Sequence, residues 1–331
     1  MIRILLPLLL LLAGLFLLSV GVGPALPAGP SIRTLFAFVG GAPVDPAVAI
    51  VVQEIRLPRA VLGVVVGASL GVAGACLQGL LRNPLAEPGL VGASSMAALG
   101  AVSMIYFGVF ASAPLALPAA GIAGALLAVG LMYLLAGRDA GPLTLILAGV
   151  AINTLGGALT SLLLNLAPNP HAALEIAFWL LGSLADRSRD HVRVALPFAL
   201  AGLALLLSAA RGLDALTLGE RTAHTLGTSV RFLHLRIIVG TALAVGASVA
   251  VTGSVAFIGL MVPHLVRPLA GHRPGAALLP SAVAGACLLL AADVGVRLLP
   301  TNEELKLGVV TGLLGVPFFL AILFRTRREA L

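Results

Sequence analysis

The chain has 331 residues, a net charge of +7 and only 10% charged residues against 60% hydrophobic ones. A mean hydropathy of +1.12 is more than a soluble core of this length could bury, which excludes an ordinary water-soluble domain. Its arginines are scattered between apolar stretches and form no basic stripe, so the positive charge points to loops beside a membrane and not to nucleic acid.

Apolar runs long enough to cross a bilayer, about 18 residues or more, recur along the whole chain. In order they cover 4–23, 56–81, 89–107, 116–136, 142–166, 192–211, 232–252, 254–270, 277–298 and 306–325. Stretches such as Ile4–Val20 and Leu143–Leu164 are apolar on every side, whereas barrel strands would alternate polar and apolar residues. The spans therefore read as helices, whose backbone groups are satisfied internally. The fold class is all-α: a polytopic membrane helix bundle of about ten transmembrane helices, forming one integral-membrane domain over residues 1–331 with little room for a soluble appendage. Ala25-Leu26-Pro27-Ala28 resembles a signal-peptide cleavage site, but the run before it is longer than a usual signal core and Arg3 is its only leading charge, so a retained first helix is expected.

Gly63, Gly67 and Gly71 recur every four residues in the second span, a spacing that lets helix backbones approach closely; a pore-lining stripe is the alternative. Residues 67–74 (GASLGVAG) match 246–253 (GASVAVTG) at five of eight positions, on spans expected to run in opposite directions, which suggests an inverted repeat. With the N-terminus in the cytoplasm, the 20 Lys and Arg divide 12 inside to 8 outside. This bias agrees with the positive-inside rule, and Arg325-Thr326-Arg327-Arg328 anchors the C-terminus on the same side. Two segments are longer than turns. Residues 167–191 are expected to be extracytoplasmic, with a short interfacial helix within Ala172–Leu184 anchored by Trp179. Residues 213–230 form the most polar cytoplasmic loop, with Leu218, Ala223 and Leu226 at helical spacing between Gly219 and Gly227.

The chemistry is sparse. Cys76 and Cys287 lie singly in apolar helices and read as packing residues, and His264 near a helix end reads as a structural histidine. No catalytic constellation and no metal site stands out. An ion-driven carrier usually needs an ionisable group deep in the membrane, yet spans one, three, four, five and seven lack an acid in their apolar middles. A phosphate-binding loop is also missing: the single lysine, Lys306, is followed by Leu307 and lacks the G-x-x-x-x-G-K-[ST] frame. Active transport would have to draw its energy from a partner. The 213–230 loop is either that partner's docking point or an ordinary solvated loop.

Several motifs share an order and spacing with a known family. They begin with Arg56-Leu57-Pro58-Arg59, a Gly/Ala-rich helix ending in Gln78, Arg82-Asn83-Pro84-Leu85-Ala86-Glu87-Pro88-Gly89-Leu90 and Gly92-Ala93-Ser94-Ser95. There follow Phe178-Trp179-Leu180-Leu181-Gly182-Ser183-Leu184, Leu218-Gly219-Glu220 with Leu226-Gly227, and Ala256-Phe257-Ile258-Gly259-Leu260 leading to Pro263-His264. Last come Ala292-Asp293 with Arg297, and Gly308-Val309-Val310-Thr311-Gly312 through Gly315-Val316-Pro317-Phe318-Phe319. From about residue 50 to 326 the chain resembles the FecCD-type permease subunits of ABC importers for ferric siderophores, haem and vitamin B12.

The resemblance implies a second copy of the permease, two cytoplasmic ATPase subunits that use ATP and Mg, and an extracytoplasmic substrate-binding protein; this chain itself would bind no cofactor. It implies docking of the binding protein through Arg56, Arg59 and Arg297, which the topology above places outside. Leu218, Gly219, Glu220, Ala223, Leu226 and Gly227 correspond to the coupling helix that seats in the ATPase. The fifth and tenth helices would line the pathway, with Asn153, Thr154, Thr160, Ser161 and Asn165 the few polar groups on the former. Many relatives read Glu-Leu-Pro-Val-Gly where this chain has Glu304-Leu305-Lys306-Leu307-Gly308, which adds charge at the outer mouth. The expectation is a multi-pass, non-catalytic subunit of the bacterial inner membrane, both termini cytoplasmic, importing a ferric siderophore or haem. Cobalamin is the alternative cargo, and an ATPase-independent carrier or channel the alternative class.

Overall fold

The computed structural model describes residues 2–23, 28–40, 44–113, 115–137, 141–299 and 304–329. Residues 24–27 of the cleavage-like sequence, Arg138, and the side chains of Arg325, Arg327 and Arg328 lie outside what is described. In chain order the helices are α1 (Ile2–Gly21), α2 (Ala28–Gly40), α3 (Pro46–Ile50), α4 (Leu57–Leu80), α5 (Ala93–Tyr106), α6 (Val109–Ser112), α7 (Ala116–Ala136), α8 (Pro142–Asn165) and α9 (Pro170–Leu180). They continue with α10 (Arg189–Ser208), α11 (Ala210–Leu216), α12 (Glu220–Thr225), α13 (Val230–Thr252), α14 (Ile258–Leu269), α15 (Pro274–Leu298) and α16 (Leu307–Glu329). There is no strand among the described residues.

Each of the ten apolar runs coincides with a helix. Among the described residues seven helical stretches are long and apolar enough to cross a membrane. α5 and α14, with 14 and 12 residues, are shorter than a full crossing needs. The second span begins earlier than its apolar pattern. Asp45 caps α3 by accepting from the Ala47 amide at 2.9 Å, and a π-helical turn over Val51–Arg56 carries the helix without interruption into α4. Pro58 explains the turn: it has no N–H to donate, and its ring needs clearance from the preceding carbonyls, which a wider turn provides.

The glycine stripe packs helix on helix. A Cβ at Gly67 would collide with the Gly285 carbonyl of α15, one at Gly71 with the Ser281 carbonyl, and one at Gly74 with the Gly259 carbonyl of α14. At Gly63 it would lie 2.7 Å from a methyl of Leu290. With no water-driven attraction between helices in lipid, such close approach supplies the dispersion contacts that hold them. α4 thus touches α15, α14, α13 and α10, while α5 lies on α7 and α8. The short helix expected within 172–184 appears as α9, where part-buried Trp179 lies against the cluster that holds Ala101, Ile105 and Ile176 and its Nε1 has no acceptor among the described residues. Cys76 and Cys287 are buried and unpaired.

Gly67→Leu should lower the stability of the detergent-solubilised protein by about 1–3 kcal/mol, read as a drop in thermal midpoint. Gly130→Ala, at a helical position with nothing within 4 Å of the added carbon, should be neutral or stabilising by up to about 1 kcal/mol.

Candidate functional site

Two helix breaks open on one cavity of about 480 Å³. Between α4 and α5 the chain runs through a 3₁₀ turn at Pro88–Val91 to Gly92, whose φ of 74° is the left-handed start of α5. Between α13 and α14 the corresponding position is Phe257, left-handed at φ 66°. That backbone strains a bulky residue, and the ring is held against α16, where a Cβ at Gly315 would overlap it. Leu90 packs on Gly149 of α8, and Ser95 on Gly156, so the first break is fixed by glycines of α8.

The cavity wall combines Glu87–Leu90, the first turn of α5, Val249, Ser254–Phe257, Leu180, and a stripe of α8 at Asn153, Gly157, Thr160 and Ser161. Three of the five polar residues expected on α8 are therefore on it; Thr154 and Asn165 are exposed and do not line it. Several hydroxyls are turned back on their own helices: Thr160 donates to the Gly156 carbonyl at 2.8 Å and Ser95 to Gly92 at 3.0 Å. The wall mixes apolar side chains with the polar groups of Glu87, Ser94, Ser95, Asn153, Thr160, Ser161 and Ser254. Glu87 is its single ionisable residue, and burial raises its carboxyl pKa above the ordinary range. Neither Glu87 nor Phe257 stood out from residue type; both sit inside the motif runs quoted above.

At the end of the bundle where α4 begins, the three arginines expected to face an acidic partner are instead engaged within the chain. Arg59 is paired with buried Asp293 at 2.8 Å and with Glu304. Asp293 also pairs with Arg297 at 2.8 Å. Arg297 donates further to the Ser19 and Val22 carbonyls, each at 2.8 Å, and Arg56 to Val20 at 3.1 Å and Gly21 at 2.6 Å. The last carbonyls of a helix have no partner in their own helix and carry partial negative charge. Arg56 and Arg297 therefore cap α1 from α4's approach and from α15. The side chains of Arg59 and Arg297 are 10% and 4% exposed within the chain, so a docking partner would meet them only after their internal pairs are exchanged.

The segment 213–230 carries α12. Gly219 at φ 100° and Gly227 at φ 80° bound it, and the Gly227 and Thr228 amides close its end on the His224 and Ala223 carbonyls at 2.9 Å. Ala223 is fully buried beneath, while Leu218 and Leu226 are 62% and 61% exposed. They border a depression of about 450 Å³ shared with Asp214, His272 and Arg273. Glu220 opens the helix, where its charge suits the amino end.

The profile of the FecCD transport family matches residues 9–325. The chain is 41% identical to the hemin transport system permease protein HmuU of Yersinia pestis, over 83% of this chain and 84% of that one. It is 41% identical to the cobalamin import system permease protein BtuC of Halobacterium salinarum, over 83% and 73% of the two chains. With the Fe(3+) dicitrate transport system permease protein FecD of Escherichia coli the figures are 38%, 84% and 86%. A solved structure described as an inward-facing conformation of a metal-chelate type ABC transporter superposes with a TM-score of 0.85 at 30% identity, covering 98% of this chain and all of that one.

Removing Asp293 leaves two buried guanidiniums without their shared carboxylate. Asp293→Asn should cost about 3–5 kcal/mol, measured by thermal unfolding. Glu304→Gln, at a side chain 32% exposed, should cost far less.

Proposed function

The chain belongs to the FecCD transport family, and from that premise we propose that it is the membrane permease of an ATP-driven importer whose energy is supplied by a separate ATPase. The observation that carries this is the α12 surface: a short helix with its alanine buried and a leucine exposed at each end, on a chain whose sequence has no phosphate-binding loop. Two large exposed apolar side chains bordering a depression are what a soluble partner's groove can take up. Two ATPase subunits that bind ATP and Mg would seat there, one on each copy of the permease.

The cargo is a metal chelate, a ferric siderophore or haem, with cobalamin the alternative; relatives named for each are similar over most of the chain. The cavity suits such a load. Its wall of apolar side chains interspersed with short hydroxyls and one amide offers a bulky chelate surface contact and scattered weak hydrogen bonds, with no cluster of charge to trap it. An extracytoplasmic binding protein would deliver the chelate at the end of the bundle that holds Arg59. Asp293 is buried, whereas Glu304 is one-third exposed, so an acid on that partner would reach Arg59 by replacing Glu304. This reading places α12 and both termini in the cytoplasm and the protein in the cytoplasmic membrane.

Proteoliposomes holding the permease, its cognate ATPase and its binding protein should accumulate chelate only with ATP. Accumulation against a gradient by the permease alone would overturn the reading in favour of a self-sufficient carrier. In the same system Leu218→Ser combined with Leu226→Ser should weaken ATPase association by about tenfold or more, read by co-purification, with the fold unchanged because neither side chain is buried.

A further inference from the structure

The cavity has one ionisable residue on its wall, and that residue is an acid. Among the described lining residues Glu87 stands with serines, an asparagine, a threonine, glycines and apolar side chains, with no Lys, Arg or His. The carboxyl has no hydrogen-bond or ion-pair partner among the described residues. The nearest basic residue in sequence, Arg82, is turned away, donating to the Leu216 carbonyl at 2.6 Å. Arg267, the basic residue of α14, is also engaged elsewhere, on the Gln78 side chain at 3.0 Å. Glu87 is held in place by its neighbours: Pro88 is buried against Gly259 in the first turn of α14, and Gly92 is pressed on Ile152 of α8.

We propose that Glu87 is a charge-selecting residue of the pathway, favouring chelates whose surface towards the 87–90 turn is neutral or cationic and carries N–H donors, and disfavouring those that bring a carboxylate to it. This rests on the importer reading and deepens it by assigning the cargo's charge class: among the cargoes named above it favours neutral or cationic siderophores and cobalamin over haem, unless haem turns its two propionates away from the 87–90 turn. At a part-buried carboxylate a like charge is screened less than in bulk water, so an added anion meets a penalty that no lining cation offsets. An N–H donor or ammonium meets the opposite: a charge-assisted hydrogen bond to the one free acceptor of full charge on the wall. When the carboxyl holds its proton, which burial favours, it becomes a donor and the penalty on anions falls.

The test needs probes that differ in charge and share a skeleton. Ferrioxamine B is cationic, its N-acetyl derivative neutral and its N-succinyl derivative anionic, with the same iron cage. Their binding to the intact permease in nanodiscs is measured by equilibrium dialysis for the wild type, Glu87→Gln and Glu87→Asp. The wild type should bind the cationic and neutral probes about tenfold more tightly than the anionic one, and Glu87→Gln should compress that ratio to about twofold. Glu87→Asp should keep the wild-type ratio. Acidification from neutrality towards the ordinary glutamic-acid range should compress the wild-type ratio and leave that of Glu87→Gln unchanged. Since each ratio is taken within one preparation, differences in yield or folded fraction between variants cancel. An unchanged ratio in Glu87→Gln, tightest binding of the anionic probe by the wild type, or failure of all three probes to bind overturns the proposal. None of these results bears on ATP-dependent uptake, which tests the importer reading separately.

Discussion

The contact on which the bundle depends is the side-chain-free approach of α4 to α15 and α14. Lipid gives helices no hydrophobic reason to associate, so affinity between them comes from packing, and packing is densest where no side chain intervenes. Gly67 and Gly71 bring α4 against the carbonyls of Gly285 and Ser281, and Gly74 brings it against Gly259. Three consecutive turns of one helix thereby set the register of two others. Their consequences lie at different heights of α4. Near its beginning, Arg59 meets Asp293 of α15; farther along, Leu70 forms cavity wall beside the start of α14. The ion network and the cavity are both placed by the same glycine face.

The cavity exists because two helices stop short. α5 and α14 are too brief to cross on their own, and each is preceded by a left-handed residue, Gly92 or Phe257, that turns the chain. Irregular backbone at membrane depth is tolerated where protein or a cavity surrounds it and the freed polar groups find partners. The partners are visible: Gly92 donates to the Gly89 carbonyl at 3.0 Å, and Met261 to Phe257 at 2.8 Å. The segments that match in sequence, 67–74 and 246–253, lie on α4 and α13, the two helices that precede these breaks. A broken helix after each is what one ancestral unit used twice would leave, and it puts both interruptions against one space.

Much of this was legible in the chain because it is written locally. Ten apolar runs mark ten helices, since the cost of exposing backbone to lipid acts on each segment alone. The Gly63, Gly67 and Gly71 spacing identified a packing face because helix geometry turns spacing into a stripe. The internal partners of the arginines were not legible, for the opposite reason. That Arg56 and Arg297 reach the last carbonyls of α1, and that Arg59 meets Asp293, are pairings across about 35 to more than 270 residues that no local pattern encodes; Asp293 with Arg297 is the one local pair, at i,i+4. A charged residue at a helix end reads as outward-facing until its partner is known. The cavity was partly legible: the α8 stripe was named, but Glu87 was hidden in a motif whose chemistry lies in the turn it makes. Helix α2 left no periodic signal strong enough to notice in its 13 residues.

On the proposed importer reading, movement at α12 has to reach a cavity lined by one acid. A relay of titratable groups is not available among the lining residues, so the linkage has to be mechanical. The structure offers a continuous one. α12 leads from α11, whose Asp214 accepts from the Gly275 amide at 2.8 Å and pairs with Arg273 at 2.7 Å, gripping the first turn of α15. α15 then runs backbone-to-backbone along α4 and carries Asp293 and Arg297 at its far end. Closely packed helices with no intervening side chains have little slack, so a displacement applied at Asp214 is carried along α15 as a shift and not absorbed by rotamer changes. Such a shift acts on both ends of the pathway at once. It moves the carbonyls against which Gly67 and Gly71 rest, and with them the α4 wall of the cavity, and it loads the Arg59–Asp293–Arg297 cluster that caps α1. A buried ion cluster is costly to separate by small amounts. It therefore favours either the arrangement seen here or a distinct re-paired one, with little between, which is the behaviour a two-state transporter requires of its moving parts.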